Sequence, residues 1–267
     1  MLDDFRLYWR YIAISIRGQM QYKASFLMLG FGHFLVTGIE FMGLLVMFHR
    51  FENIKGWQLH EVALFYAVVN ISFSFADAFS TGFDMFPGRV KGGQFDRLLL
   101  RPRSTALQLA GQELTLRRAG RLLQGVIVLV WASTSLGVAW TIGKVLLLLL
   151  TIFGGSCMFF GIFVLQATIA FWTTESLEVM NAFTYGGVET AQYPLSIYSS
   201  WFRKFFTYVI PLACVSYFPM LAILEREDAL GSSVIFQYLS PCIGILFFVV
   251  TLRLWRVGER HYCSTGS

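Results

Sequence analysis

Apolar residues in this chain gather into long runs, not into alternating or narrow amphipathic stripes. A run of about 20 largely apolar residues is the length that crosses a bilayer as a helix. Residues 24–48 form such a run, interrupted by His33 and Glu40. Residues 61–79 form a second, interrupted by Asn70 and Asp77. Residues 122–142 and 145–171 form a tight pair turned at Gly143-Lys144, and the last clear run is centred on 234–252 within 233–257. The pattern predicts an all-α polytopic membrane protein, one membrane domain over 1–267.

Two stretches depart from simple runs. In residues 2–21, Phe5, Trp9, Ile12 and Ile16 recur at helical spacing, with Arg6, Arg10, Arg17 and Gln21 on another face. That is the pattern of a helix lying in the membrane interface, or of one packed on protein. Between 173 and 225 two readings stand. Hydropathy makes 205–224 the fifth span and 173–204 a cytoplasmic loop. Alternatively, 174–192 is a polar fifth span, and 193–224 is an extracytoplasmic hairpin that re-enters, broken by Pro194, Pro211 and Pro219. Re-entrant backbone survives only where protein or a wet cavity shields it.

Charge supports the membrane class. Charged residues make up 14% of the chain, against about 25% in soluble domains. The net charge of +5 reads as topology and not as nucleic-acid binding. Fifteen of the 21 basic residues fall before the first run, in the loop after the second, or after the last. That asymmetry puts both termini in the cytoplasm and makes the number of spans even; six is the count predicted. The start, Met1-Leu2-Asp3-Asp4, does not read as a signal peptide. Cys157, Cys214, Cys242 and Cys263 are scattered, with no pairing or metal spacing.

The most specified polar segment is the loop 84–104. Helical spacing over 94–100 puts Phe95, Leu98 and Leu99 on one side. Asp96 suits the start of such a helix and Arg101 its end, and Pro102 stops it. Ser104 is placed to cap the next helix. A short helix across the cytoplasmic end of the bundle is predicted, docking a partner or touching anionic lipid.

The residues "VKGGQFDRLLLRPRS" in this loop resemble those of the permease subunits of type-2 ABC exporters. The closest resemblance is to a bacterial subfamily reading Gly-x-Phe-Asp-x-Leu-Leu-x-Arg-Pro, matched here from Gly93 to Pro102. The stretch "QYPLSIYSSWFRKFFTYVIPLACVSYFP" is similar to that subfamily's segment before its last span. The resemblance implies that the 84–104 loop is a coupling helix seated on a separate nucleotide-binding subunit. Phe95, Asp96, Leu98, Leu99 and Arg101 would make that contact. It also favours 193–224 as the re-entrant hairpin and 174–192 as the fifth span. Partners implied are ABC ATPase subunits and a second permease, the same or different, in a bacterial inner membrane. Arg203 and Lys204 would then be extracytoplasmic, against the charge trend.

No P-loop is present: Gly143-Lys144 is followed by Val145, and Gly137 stands one position too far. ATP and Mg are therefore expected on another polypeptide, with no cofactor, metal or catalytic set on this one. The carboxylates within spans, Glu40 and Asp77, with Glu175, Glu178 and Glu189 on or near the fifth, are candidates for the translocation path. A carboxylate at the bilayer centre costs about 2.5–3.5 kcal/mol on insertion scales, so it needs a partner or a wet cavity. A buried pair such as His33 with Asp77 is the structural alternative. The competing function is an ion-coupled secondary transporter with Glu40 or Asp77 carrying protons.

Overall fold

The computed structural model describes the chain except residues 1, 113, 116–117, 174–176, 229–230 and 264–267, and gives the backbone alone for 2–7 and 177–180. The helices are α1 Leu2–Met20, α2 Lys23–Arg50, α3 Leu59–Asp84, α4 Phe86–Lys91, α5 Asp96–Leu99 and α6 Thr105–Gln112. They continue as α7 Ala119–Ser135, α8 Ile142–Ile169, α9 Leu177–Ala191, α10 Ser200–Tyr208, α11 Tyr217–Leu224, α12 Val234–Leu239 and α13 Pro241–Arg260. Among the described residues there is no strand, only a single bridge between Ile54 and Trp57.

Helix α3 is the axis of the bundle. It is buried along nearly its whole length and packs against α7, α8 and α9. It carries no wide polar face, as expected of a helix surrounded by protein. Its start is fixed by a reciprocal cap: the Gln58 N–H donates to Glu61 Oε2 across 2.8 Å. Helix α2 is the opposite case, with Leu27, Phe31, Leu35, Ile39 and Val46 exposed along one side.

Small residues set the closest approaches, as in membrane bundles generally. Gly154 of α8 and Gly244 of α13 meet backbone to backbone: a Cβ on Gly154 would overlap the Pro241 carbonyl, and one on Gly244 the Gly154 carbonyl. Gly120 lets α7 lie against the Gly30 carbonyl of α2 in the same way.

Four helices among the described residues are long and apolar enough to cross a membrane: α2, α3 with its continuation to Lys91, α8 and α13. The pair α10 and Leu212–Leu224, bent by 73°, adds a fifth if counted as one. Helices α7 and α9, over the expected spans 122–142 and 174–192, have 17 and 15 residues. At 1.5 Å per residue they reach only about 22–26 Å, short of a 30 Å hydrocarbon core. The expected last span, 233–257, is divided between α12 and α13, because Pro241 has no N–H to continue a helix and instead opens one.

The bundle has two distinguishable ends. The loop end carries α4, α5 and α6. At the other, the hairpin end, Arg226 bonds Glu61 (3.1 Å) and lies 4.3 Å over the Trp57 ring. There Lys144 bonds Glu225 at 2.7 Å, Trp57 donates to Ser196 Oγ at 2.9 Å and Lys55 to the Ile197 carbonyl at 2.8 Å. The segment from Ser196 to Arg226 thus starts and finishes at the same end of the bundle. Between those ties Leu212 packs at Gly187 and Val215 beside Gly155 and Gly244, in the interior.

Helix α1 docks on the chain before α7. Ser15 Oγ donates to the Leu114 carbonyl and accepts from the Leu114 N–H, both at 3.1 Å. Tyr11 lies over Gly111. Trp9, placed by periodicity on the apolar stripe with Ile12, is exposed, whereas Ile12 is buried. The side facing protein runs through Tyr11, Ile12 and Ser15.

A charged cleft and an anchored loop as the candidate functional site

Two sites emerge from this packing. The first is a charged cleft floored by α3. Tyr66, Asn70, Phe73 and Asp77 fall at i, i+4, i+7 and i+11, one face of that helix. Against this stripe α7 brings Arg118 and Arg121, α2 brings Glu40, and α9 brings Tyr185 and Glu189.

Arg118 Nε lies 2.7 Å from Asp77 Oδ2, and Asp77 is nearly inaccessible. Arg121 sits 3.8 Å from Glu40 Oε2 and 5.2 Å from the centre of the Phe73 ring. The longer pair is a charge contact rather than a direct hydrogen bond. Both arginines occupy the start of α7, where a cation opposes the helix dipole by about 0.3–1 kcal/mol. The carboxylates across the cleft offset that cost and explain why two arginines can enter the bundle.

The cleft continues along α9. Tyr185 is edge-on to Phe73 at 5.8 Å, with its hydroxyl against Arg118 and near Asp77 and Asp84. Asp84 accepts from Gln166 Nε2 at 3.5 Å. Glu189 faces Glu40 and Arg121. Tyr66 donates to the Thr37 carbonyl at 2.8 Å, joining α3 to α2 at this level.

Of the carboxylates expected in a path, the structure brings Glu40, Asp77 and Glu189 into one cleft. Asp77 is paired with Arg118. Glu178 lies on α9, where the backbone alone is described, and Glu175 lies outside the described residues. Arg118 and Arg121 are not among the site residues expected from sequence, where they count only toward the charge asymmetry of the loop. The available signal was their spacing of three at the start of an apolar run.

The second site is the loop 84–104. Here α5 is a single turn, Asp96–Leu99, shorter than the 94–100 helix expected. Phe95 is fully buried and sits in an aromatic box: Phe86 at 5.0 Å, Tyr262 at 4.8 Å, Phe171 at 5.4 Å and Trp255 at 6.4 Å, all edge-on. Leu98 is buried as well. Leu99 and Leu100 are exposed, Leu100 at 85%, beside exposed Arg97 and Arg101. Asp96 is half-buried at the helix start. The side predicted to carry Phe95, Leu98 and Leu99 together is therefore split between interior and surface. A turn this short does not keep 3.6-residue periodicity.

The loop is fastened from behind. Gln108 Nε2 donates to the Leu98 carbonyl at 3.2 Å and to the Arg103 carbonyl at 3.0 Å. The Trp255 indole donates to Thr105 Oγ1 at 3.0 Å, and Arg89 bonds Gln112. No group of three or more His, Cys, Asp or Glu able to hold a metal occurs among the described residues.

The sequence model of a family described as "ABC-2 family transporter protein" matches residues 34–266. The match covers α3 to α13 and most of α2, including both the cleft and the loop. No curated protein and no solved structure matches. The chain belongs to the ABC-2 transporter family: it is a multi-pass transmembrane permease of an ABC transporter, a membrane component that associates with ABC ATPase subunits.

Proposed function

We propose that this permease forms one half of an ATP-driven export path in a bacterial inner membrane, with the loop end and both termini in the cytoplasm. The clustering of basic residues at that end supports the orientation. Six crossings follow if α7 and α9 span as short helices. Chain direction supports this: α7 runs from the loop end to the hairpin end, and α8 returns from Lys144 at the hairpin end to Phe171 in the aromatic box. The segment α10–α11 is then a re-entrant hairpin, a reading supported by its two ends being tied at Trp57 and Glu61.

The observation that carries coupling is the two-sidedness of the 95–101 turn. Phe95 and Leu98 hold it to the bundle, and Arg97, Leu99, Leu100 and Arg101 present a cationic and apolar edge outward. An ATPase that moves this edge moves α13 and α8 through the aromatic box. ATP and Mg are bound by that partner, and this chain carries no cofactor. A second permease, identical or different, closes the cleft. A proton-coupled carrier is less well supported, because Glu40 and Asp77 both face arginines.

The test is co-purification of the tagged chain with its ATPase. Leu100→Asp is expected to cut the bound ATPase several-fold while the melting temperature of the chain stays within a degree or two. Phe95→Ala is expected to lower that melting temperature. Equal recovery of ATPase with Leu100→Asp, or substrate movement by the chain alone in a proton gradient, would overturn the reading.

A further inference from the structure

We infer that the cleft binds a lipophilic organic cation, with Glu189 as its counter-charge; this rests on the permease reading above and names the substrate class of that path. The described carboxyl groups of the cleft outnumber its arginines. Glu40, Asp77, Asp84 and Glu189 face two arginines. Asp77 is closed off by Arg118, Glu40 is approached by Arg121, and Asp84 takes a hydrogen bond from Gln166. Glu189 has no ion-pair partner within 4.0 Å among the described residues, and it is exposed on α9. A carboxylate left so in a membrane span is costly unless something cationic reaches it.

A second, independent observation lies on the facing helices. Asn70 and Gln124 are at least 96% buried. The Asn70 Oδ1 makes no hydrogen bond among the described residues, and the Gln124 amide has only the Tyr66 hydroxyl beside it. Asn70 stands on the floor stripe, and Gln124 lies by the Tyr66 hydroxyl, near Glu40 and Arg121. Buried polar atoms in native proteins are nearly always satisfied, so the unpaired Asn70 Oδ1 acceptor marks a place where a donor or a positive charge is received.

The walls suit an apolar cation in particular. Tyr185 is exposed four residues from Glu189, on the same face of α9. Its ring is one that a quaternary or delocalised cation is drawn to. An anionic amphiphile would meet Glu189 and Glu40 with the wrong sign, and a neutral one would leave the carboxylate unpaired.

Tetraphenylphosphonium and its anionic isostere tetraphenylborate separate these outcomes. Binding is read by equilibrium dialysis on the full chain in phosphatidylcholine nanodiscs, and ATPase stimulation is read on the complex. Saturable phosphonium binding without borate binding is expected. Glu189→Gln should raise the half-saturating concentration about tenfold, and Glu189→Asp should recover part of it. Glu52→Gln, on the exposed loop before α3, should behave as wild type. Equal binding of both ions, or no shift with Glu189→Gln, overturns the cation site and leaves the permease reading standing. Cation binding by a chain that recruits no ATPase supports the site and overturns that reading.

Discussion

The Trp255 indole N–H donates to the Thr105 hydroxyl across 3.0 Å, both residues buried. One bond thereby joins the end of the last helix to the helix that leaves the 84–104 loop, 150 residues earlier in the chain. Trp255 also touches Phe83, Phe86 and Phe171 at 4.8–5.3 Å, so α3, α4, α13 and the turn after α8 meet on one ring.

Removing the ring and removing the bond therefore have different costs. Trp255→Ala should destabilise the chain by about 3–5 kcal/mol through the cavity it leaves. Thr105→Val should cost about 1 kcal/mol, the net worth of one hydrogen bond, and Trp255→Phe more, because the smaller ring also leaves a cavity. The double variant should cost less than the sum of the two, measured by denaturant unfolding in micelles. Simple additivity of the two would mean that the bond contributes nothing.

The Asp77–Arg118 pair should behave as a buried ion pair. Removing either partner strands the other charge and costs about 3–5 kcal/mol. Asp77→Asn and Arg118→Met should each lower the melting temperature markedly, whereas the two together should cost clearly less than their sum. A combined variant as unstable as the sum would show that the two charges do not hold each other.

Much of this architecture could be read from the residues, and the unread parts share a cause. The long runs around Ala76 or Phe159 give away their helices because lipid and core both demand apolar side chains. The loop gave away its motif from Phe95 to Pro102, but not that Phe95 faces inward: only Phe171, Trp255 and Tyr262, more than 75 residues away, decide that. Arg118 and Arg121 were legible as cations and illegible as cleft residues, since their partners Asp77 and Glu40 lie on other helices. The division of the last span at Ser240 was foreshadowed by Pro241, while the close approach of Gly154 and Gly244 had no local signature.

Acid should loosen the hairpin end first. The Lys144 ammonium beside Glu225 holds that carboxyl below its ordinary value of 4.5. A lowered native pKa means that the contact contributes fully above the unfolded value and is lost as pH falls through the native one. Glu225 is largely exposed, so solvent screens most of the gain. Lys144→Gln should therefore reduce the dependence of melting temperature on pH below about 4.5, and leave the difference from wild type constant above pH 6. A mutant whose acid limb matches wild type would assign that limb to other carboxylates.

The close approach of α8 and α13 makes the sharpest comparison among the glycines. A methyl group on Gly154 would enter the Pro241 carbonyl, and one on Gly244 the Gly154 carbonyl. These are backbone atoms that cannot turn aside, so the helices would have to part. On α2, Gly38 has nothing within 4 Å of the position a Cβ would take. Gly154→Ala and Gly244→Ala should each destabilise by about 1–3 kcal/mol, as overpacking does. Gly38→Ala should be neutral or stabilise by up to about 1 kcal/mol, because alanine is the better helix former. Thermal unfolding of the three variants in one detergent decides the matter. If all three melted alike, the backbone contact between α8 and α13 would not be the constraint that holds the last helix in place.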